Sequence, residues 1–573
     1  MGTPDASQLE SVLRYHERTK HHLNRFAAGP GQLDWANQPD PFRRYQGAAL
    51  ARLPLLGAND EPLSPSYASL FDSGAAASAA LTAKTLSRFF EYSLAVSAWK
   101  QAGGTRWALR ANPSSGNLHP TEGYLLIGAL PGVAALPGVF HYAPKEHALE
   151  RRADCPQALF ARMMRGFPPR TFLVGLSSVV WREAWKYGER AFRYCLHDAG
   201  HALGALRIAA ATLGWSAVVL EGLADDTLET LLGLDRDADF ADAERESAEL
   251  VMAVWPSEGV QDGAALPLAL EPAAVQELAR QPWHGRANRL SPQDPVPWEI
   301  IGSVAAASRK PPGEPRALVL PQPSTRQPAA GAGPAAGRII RQRRSLQACD
   351  GQTSIPAERF YRMLSRLMPR AELEVLRRPV PWDAIPWAPA IHLCLFVHRV
   401  DGLEPGLYAL ARDSAKLDQL KRSMRAEFAW EAPPGCPPDL PLRLLERGDA
   451  RELATQVSCR QEIAGEGAFA LGMIAEYREH LVAQGPWFYR RLFWEAGAIG
   501  QVLYLEAEAA GVRATGIGCY FDDPVHQVFG LSGIDLQSLY HFTVGGAVDD
   551  PRLTTLPAYG ARPKGREDGM DLP

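Results

Sequence analysis

Cysteine is sparse in this chain and falls into no recognisable pattern. Cys155, Cys195, Cys349, Cys394, Cys436, Cys459 and Cys519 are an odd number, widely scattered and without a C-x-x-C pair, which argues against a disulfide framework and a structural zinc site. An excess of one charge is also missing. Lys+Arg 60 against Asp+Glu 64 leave a net charge of −4, so no global basic field exists to hold nucleic acid or an anionic bilayer. The opening residues, MGTPDASQLESVLRYHERTKHHL, carry charges throughout and do not read as a secretory signal. The longest uncharged stretch, Gly123 to Tyr142, is broken by Pro131-Gly132 and Pro137-Gly138, so no membrane helix is expected. A reducing cytoplasm is the expected location.

Several catalytic signatures are absent too. GLSSV and GLSGI lack the second glycine of a nucleophile elbow. GAGPAAG (331–337) imitates a phosphate-binding glycine loop, but no strand precedes it. His197 and His201 lie four apart, yet Asp198 stands where a metalloprotease motif has Glu, and no third ligand is apparent. His16, His21 and His22 are read the same way, and no metal is expected.

What is present is ordinary globular composition, 46% hydrophobic and 22% charged, in 573 residues, long enough for more than one core. Gly 50 and Pro 47 exceed the usual share, and the excess collects between Arg309 and Gly337 in KPPGEPRALVLPQPSTRQPAAGAGPAAG. Such a segment reads as a semi-extended linker. The expected division is therefore 1–302, a linker 303–337, and 338–573. The flanks are related. Residues 198–234 shifted by 297 lie over their second copy without a gap, matching Ala199/Ala496, Gly200/Gly497, Leu206/Leu503, Gly214/Gly511, Asp225/Asp522, Asp226/Asp523 and Gly233/Gly530 among others. An apolar stripe at helical spacing, Phe192 to Leu213, recurs as Phe493 to Ala510. Gly214 and Gly511 suit the C′ positions, and the small residues allow close helix approach. GYLLIGAL, RTFLVGLSSVVW, IHLCLFVHRV and SLYHFTVGG read as strands. The fold class is α+β, twice.

Three strings carry chemistry. Pro113, Ser114, Ser115, Gly116 and Asn117 form a turn cluster that is either a plain loop or a cradle for a planar polar ligand. Arg343, Arg344 and Ser345, within RIIRQRRS, offer forked donors to a phosphate, although basic runs are commonly solvated faces. Lys186 and Tyr187, within WREAWKYGER, are tunable proton donors or simply part of a helix start.

Together these strings resemble the nitroreductase-like flavoprotein superfamily. The first half is most similar to its azoline dehydrogenases, the streptolysin-S-type oxidoreductases of thiazole/oxazole-modified peptide maturation. The resemblance rests on Arg14-Tyr-His-Glu-Arg-Thr-Lys20, Gln38-Pro-Asp-Pro-Phe-Arg-Arg-Tyr45, Pro113-Ser-Ser-Gly-Asn-Leu-His-Pro120, Gly138-Val-Phe-His-Tyr142, Trp185-Lys-Tyr-Gly-Glu-Arg190 and Asp198-Ala-Gly-His201. The second half resembles the superfamily more loosely, through Arg343-Arg-Ser345, Pro405-Gly-Leu-Tyr408, Gly516-Ile-Gly518, Phe521-Asp-Asp523 and Val544-Gly545.

The resemblance implies an α+β unit that dimerises and holds FMN between subunits. Here the elements are divided: the first half keeps the Ser-Gly-Asn turn, the second keeps Arg-Arg-Ser and has PVPWDAIPWAP in place of the turn. That division implies a tandem duplication folded as an intramolecular pseudo-dimer, acting as a monomer or a homodimer. One composite FMN pocket is expected, with Arg343, Arg344, Ser345 and Arg552 on the phosphate, Gly516 and Gly518 along the flavin, and Pro113 to Asn117 reaching across. A second pocket would pair Arg18, Thr19, Lys20, Glu221 and Gly222 with the degenerate turn. Lys186 and Tyr187 are the catalytic candidates. The implied activity is FMN-dependent oxidation of an azoline to an azole in a peptide or related natural product, alongside biosynthetic partner proteins. The alternatives are a general NAD(P)H-dependent nitro/quinone reductase and a non-catalytic flavin- or peptide-binding scaffold.

Overall fold

β-Branched and aromatic runs bounded by Pro/Gly turns form the strands, and the two small-residue stripes form the helices between them. The computed structural model describes residues 6–57, 64–71, 77–257, 265–266, 268–315, 317–319 and 333–560. In the first half, β1 (Thr121–Ile127), β2 (Gly138–Ala143), β3 (Ala148–Asp154) and β4 (Phe172–Ser178) are followed by α1 (Val180–Tyr187) and α2 (Ala191–Ala211). Then come β5 (Trp215–Val219), α3 (Asp225–Leu232) and β6 (Ser247–Pro256). The second half has β7 (Ile391–Val397), β8 (Gly406–Leu410), β9 (Leu442–Arg447), β10 (Phe469–Glu476), α4 (Phe488–Ala509), β11 (Arg513–Ile517), α5 (Asp522–Phe529) and β12 (Leu536–Gly545).

Both main sheets are antiparallel and share one strand order. The first runs β3-β2-β1-β4-β6-β5, with the short strand Leu50–Arg52 on its β3 edge, and the second runs β9-β8-β7-β10-β12-β11. α3 and α5 have bounds 297 residues apart. Both are acidic in the first turn, where the helix dipole favours negative charge, and both end at a left-handed glycine, Gly233 and Gly530.

The halves meet where α2 crosses α4. Gly200 lies against the backbone of Trp494, and Gly497 against that of His197; positions 297 apart thus exchange partners, as in an isologous interface. A Cβ at either glycine would collide with backbone, so the sequence has none there. The same exchange governs two buried ion pairs, Arg193 with Asp522 at 2.8 Å and Arg490 with Asp225 at 2.5 Å. Leu203 and Leu206 of α2 share one apolar core with Ile499 and Leu503 of α4.

Three details depart from the sequence reading. Gly511 takes the C′ position with φ 78°, but Gly214 lies one residue beyond it, because Thr212 caps α2. RTFLVGLSSVVW is not one strand: β4 ends at Ser178 and Val180-Trp181 opens α1, held by the Trp181 indole donating to Ser291 Oγ at 2.8 Å. The expected linker is structured at both ends, with helices at Glu299–Ala307 and Ala336–Gln342. Lys310 N donates to Asp225 Oδ2 (2.9 Å) and Gly313 N to Gly222 O (3.2 Å), so residues 309–315 pack against the first half. Residues 320–332 of the linker, including the start of GAGPAAG, lie outside the described residues. No helix of the described residues is long and apolar enough to cross a membrane.

Candidate functional site

The turn before β1 is built by its own polar side chains. Ser115–Asn117 makes a single 3-10 turn in which Gly116 (φ 56°) and Asn117 (φ 60°) are both left-handed, a conformation that Gly and Asn tolerate best. The Asn117 amide donates to Ala108 O at 2.9 Å, and His119 N donates to Ser114 Oγ at 2.8 Å. Ser115 donates through both N and Oγ to Asp198 Oδ1, at 3.0 and 2.9 Å. Asp198 belongs to α2, so this turn is tied to the central helix. Burial pushes the Asp198 carboxyl up to about 7, against the Ser114 and Ser115 hydrogen bonds. Glu183 of α1 is buried with both oxygens unpartnered, and burial together with Asp198 raises it well above the usual carboxylate range.

From the second half, Arg343 follows its helix as the C-cap residue and donates to Arg110 O at 2.9 Å. Its guanidinium lies 5.0 Å from the ring centre of Tyr504. Ser345 forms a bridge with Ala514 of β11, and its hydroxyl donates to the Tyr504 hydroxyl at 3.3 Å. That same hydroxyl accepts from Gly516 N at 3.1 Å. Neither Arg343 nor Arg344 makes an ion pair among the described residues; Arg344 donates only to the carbonyls of Arg341 and Arg343. Burial lowers Arg343, and burial beside Arg343 brings Arg344 down to about 10. Glu508 is the carboxylate that acts on both from nearby, without forming an ion pair with either, so the two adjoining guanidiniums keep donors for an anion.

Aromatic rings join the two groups of residues. The Tyr187 ring faces Gly116 and lies 4.4 Å from Tyr194; Tyr194 faces Gly518, and Tyr540 faces Gly516. His197 stacks on Tyr540 at 4.1 Å, and His201 Nε2 is 3.1 Å from its hydroxyl. Lys186 is partly exposed with Nζ 5.3 Å from the Tyr187 ring centre, and burial, then Glu183, raises the Tyr187 phenol well above 10. The structure therefore brings together Pro113 to Asn117, Lys186, Tyr187, Arg343, Arg344, Ser345, Gly516 and Gly518. Arg552 is directed elsewhere: its side chain is 85% exposed and bound to Asp550. Asp198, Glu183, Tyr194, Tyr504 and Tyr540 were not among the expected site residues. Asp198, Glu183 and Tyr540 stand within strings that the sequence singles out, but not by their own chemistry; the tyrosines converge through the helix crossing and the β11–β12 pairing, which leave no local signal.

The second expected grouping divides. Glu221 does lie near the degenerate turn, through Arg491, which donates to it at 2.7 Å and sits 4.7 Å from the Trp387 ring centre. Arg18 instead pairs with Glu189, and Lys20 with Glu17 (2.9 Å) and Asp523 (3.0 Å), all on the side of Gly518. Thr19 Oγ1 donates to Tyr15 O at 2.8 Å. Glu17, His22 and Asp523 are grouped as metal ligands would be, but the Lys20 ammonium already bonds both carboxylates. The space lined by Val219, Leu220, Asp225, Lys310, Trp487, Arg490, Arg491 and Trp494 is only about 20 Å³, room for about one water and too small for a flavin.

Residues 79–243 match the nitroreductase family model. Among solved structures, a nitroreductase candidate from Anabaena variabilis superposes with a TM-score of 0.65 at 20% identity, covering 94% of this chain and 99% of that one. A similar candidate from Ralstonia eutropha has a TM-score of 0.26 at 18% identity, over 41% of this chain and 90% of that one. A chain of the Escherichia coli microcin synthetase McbBCD complex, with truncated pro-MccB17 bound, has a TM-score of 0.25 at 19% identity, over 45% and 95%. No curated protein matches. Residues 79–243 thus carry a match to the nitroreductase family model, and the chain as a whole shares the fold of the Anabaena variabilis nitroreductase candidate.

Proposed function

We propose that the chain is an FMN-dependent oxidoreductase with one composite flavin site, and that its reaction is the oxidation of an azoline ring in a peptide or related natural product. The observation that carries the flavin reading is the pair of guanidiniums without an ion pair, Arg343 and Arg344, beside Ser345, with Arg343 bonded to the Arg110 carbonyl just ahead of the Ser-Gly-Asn turn of the other half. This donor set fits a phosphate monoester. Gly516, Gly518 and Gly116 are each covered directly by the ring of Tyr540, Tyr194 or Tyr187, so these three rings must swing aside for a planar ring to lie on the glycines. Bound FMN supplies two-electron redox chemistry. Lys186 and Tyr187, at the C-terminal end of α1, then hold or move a proton at the substrate ring.

The shared strand order, the 297-residue offset and the exchanged contacts of α2 and α4 support a tandem duplication, with units 1–302 and 338–573 acting as an internal pseudo-dimer. The azoline reading rests on the motifs of residues 14–201. It is tested by anaerobic titration of the purified flavoprotein: azoline-containing substrate should bleach the flavin spectrum, and NAD(P)H alone should not. Rapid bleaching by NAD(P)H, with none by azoline, would replace this reading by a general nitro/quinone reductase.

A further inference from the structure

Behind Gly518 two cysteines come together from distant parts of the sequence. Cys459 lies in the turn after the helix Arg451–Val457, where it and Arg460 both have positive φ (54° and 59°), a strained arrangement for two consecutive non-glycine residues. This turn is fastened to the Gly518 loop. Phe521 N donates to Val457 O at 2.8 Å, and the Gln461 amide donates to Cys519 O at 2.9 Å. These two bonds hold the Cys459 turn against Cys519, close enough for each thiol to act on the other's ionisation, and both thiols are partly exposed. His21 completes the cluster: its Nδ1 accepts from Ala27 N at 3.0 Å, leaving the proton on Nε2 for a side-chain bond to Cys519.

The pair is chemically unequal. The neighbouring Cys459 thiol, with His21, pulls Cys519 down to about 5 against burial, whereas Cys459 is raised. Burial pushes Cys155, Cys195, Cys349, Cys394 and Cys436 all upward. Thiolate character and exposure decide which cysteine oxidises, and only the 519 thiol combines them.

We propose that Cys519 and Cys459 form a reversible redox pair, with Cys519 as the attacking thiolate and Cys459 as the resolving thiol. The Cys519 sulfur attacks one oxygen of a hydroperoxide, breaking the O–O bond to give a sulfenic acid and, with one proton, water or an alcohol. The Cys459 thiol then displaces the sulfenic hydroxyl as water, so two thiols are oxidised and one peroxide is reduced. The disulfide would join the 458–460 turn to the residue next to Gly518, which packs on Tyr194. Neither step requires bound flavin.

The test uses the full-length protein, hydrogen peroxide near stoichiometry, alkylation and peptide mass spectrometry. A Cys459–Cys519 linked peptide should form and revert with dithiothreitol, while the other five cysteines stay alkylatable. In Cys459→Ser, dimedone should trap Cys519 as its sulfenic acid; in Cys519→Ser, oxidation of Cys459 should slow at least about tenfold. Free Cys459 and Cys519 after peroxide, or a Cys519 in Cys459→Ser no more reactive to dimedone than Cys436, would overturn the proposal. Thermal unfolding matching wild type shows that each Ser variant is folded, so its result counts.

Discussion

Two places in this molecule occupy equivalent positions 297 residues apart and have opposite character. At one, Tyr194 faces Gly518, His197 stacks on Tyr540, and Tyr504 ties Ser345 to Gly516. At the other, the counterparts are Arg491 bound to Glu221, Trp494, and Arg207 paired with Asp383 by two bonds of 2.8 and 2.6 Å, with Val219 in place of Gly516. Lys310 fills what is left, donating to Leu223 O at 3.1 Å and lying 5.3 Å from the Trp487 ring centre. The residues that join the halves are retained on both sides, as Arg193–Asp522 and Arg490–Asp225 show. What differs is the set of residues between those ion pairs. Paired charge and tryptophan thus occupy the one place, and tyrosines over glycine the other, within the same arrangement of strands and helices.

That contrast can be broken from several directions. Replacing both Lys186→Met and Tyr187→Phe should leave flavin bound and lower turnover on the order of 100- to 10,000-fold, read by steady-state kinetics on the yellow protein; unchanged turnover would make both residues structural. Arg343→Gln should weaken FMN about 10- to 100-fold, the size of losing one or two charge-assisted bonds, measured by flavin fluorescence, whereas Arg491→Gln at the equivalent place should leave flavin affinity unchanged. Gly497→Ala should cost about 1–3 kcal/mol of stability by overpacking against the His197 backbone, seen as a lower denaturation midpoint.

Asp198 gives a smaller, pH-dependent effect. Its carboxyl is raised to about 7 in the fold from roughly 3.9 when unfolded, so the stability tied to its neutral form is complete below about pH 4 and is lost as pH rises through 7. Asp198→Asn should therefore flatten the stability–pH curve, gaining about 2–3 kcal/mol on wild type between pH 5 and 8. Urea unfolding at the two pH values reads this directly, and parallel curves would contradict it.

Much of the architecture was legible because the two halves repeat the same signals. The stripes of α2 and α4, the Asp-Asp starts of α3 and α5 and their terminal glycines each appear twice in the sequence. Arg343, Ser345 and the Ser-Gly-Asn turn were legible because their side-chain chemistry is local. Tyr504, Tyr540 and Tyr194 were not, since nothing in their neighbourhoods distinguishes a cradle from a core until the helices cross. The linker misled for a related reason: proline content describes how a segment fails to form regular structure, not whether Lys310 finds Asp225 and Trp487 to lie against.

The proposed function gives the chain one working flavin site and one sealed site. The direct measurement is the molar ratio of FMN to chain in the purified, FMN-saturated protein, from the absorbance of released flavin against amino-acid analysis. One FMN per chain, abolished or weakened by Arg343→Gln alone, is the predicted result; two per chain, or one that survives Arg343→Gln and is lost in Arg491→Gln, would contradict it.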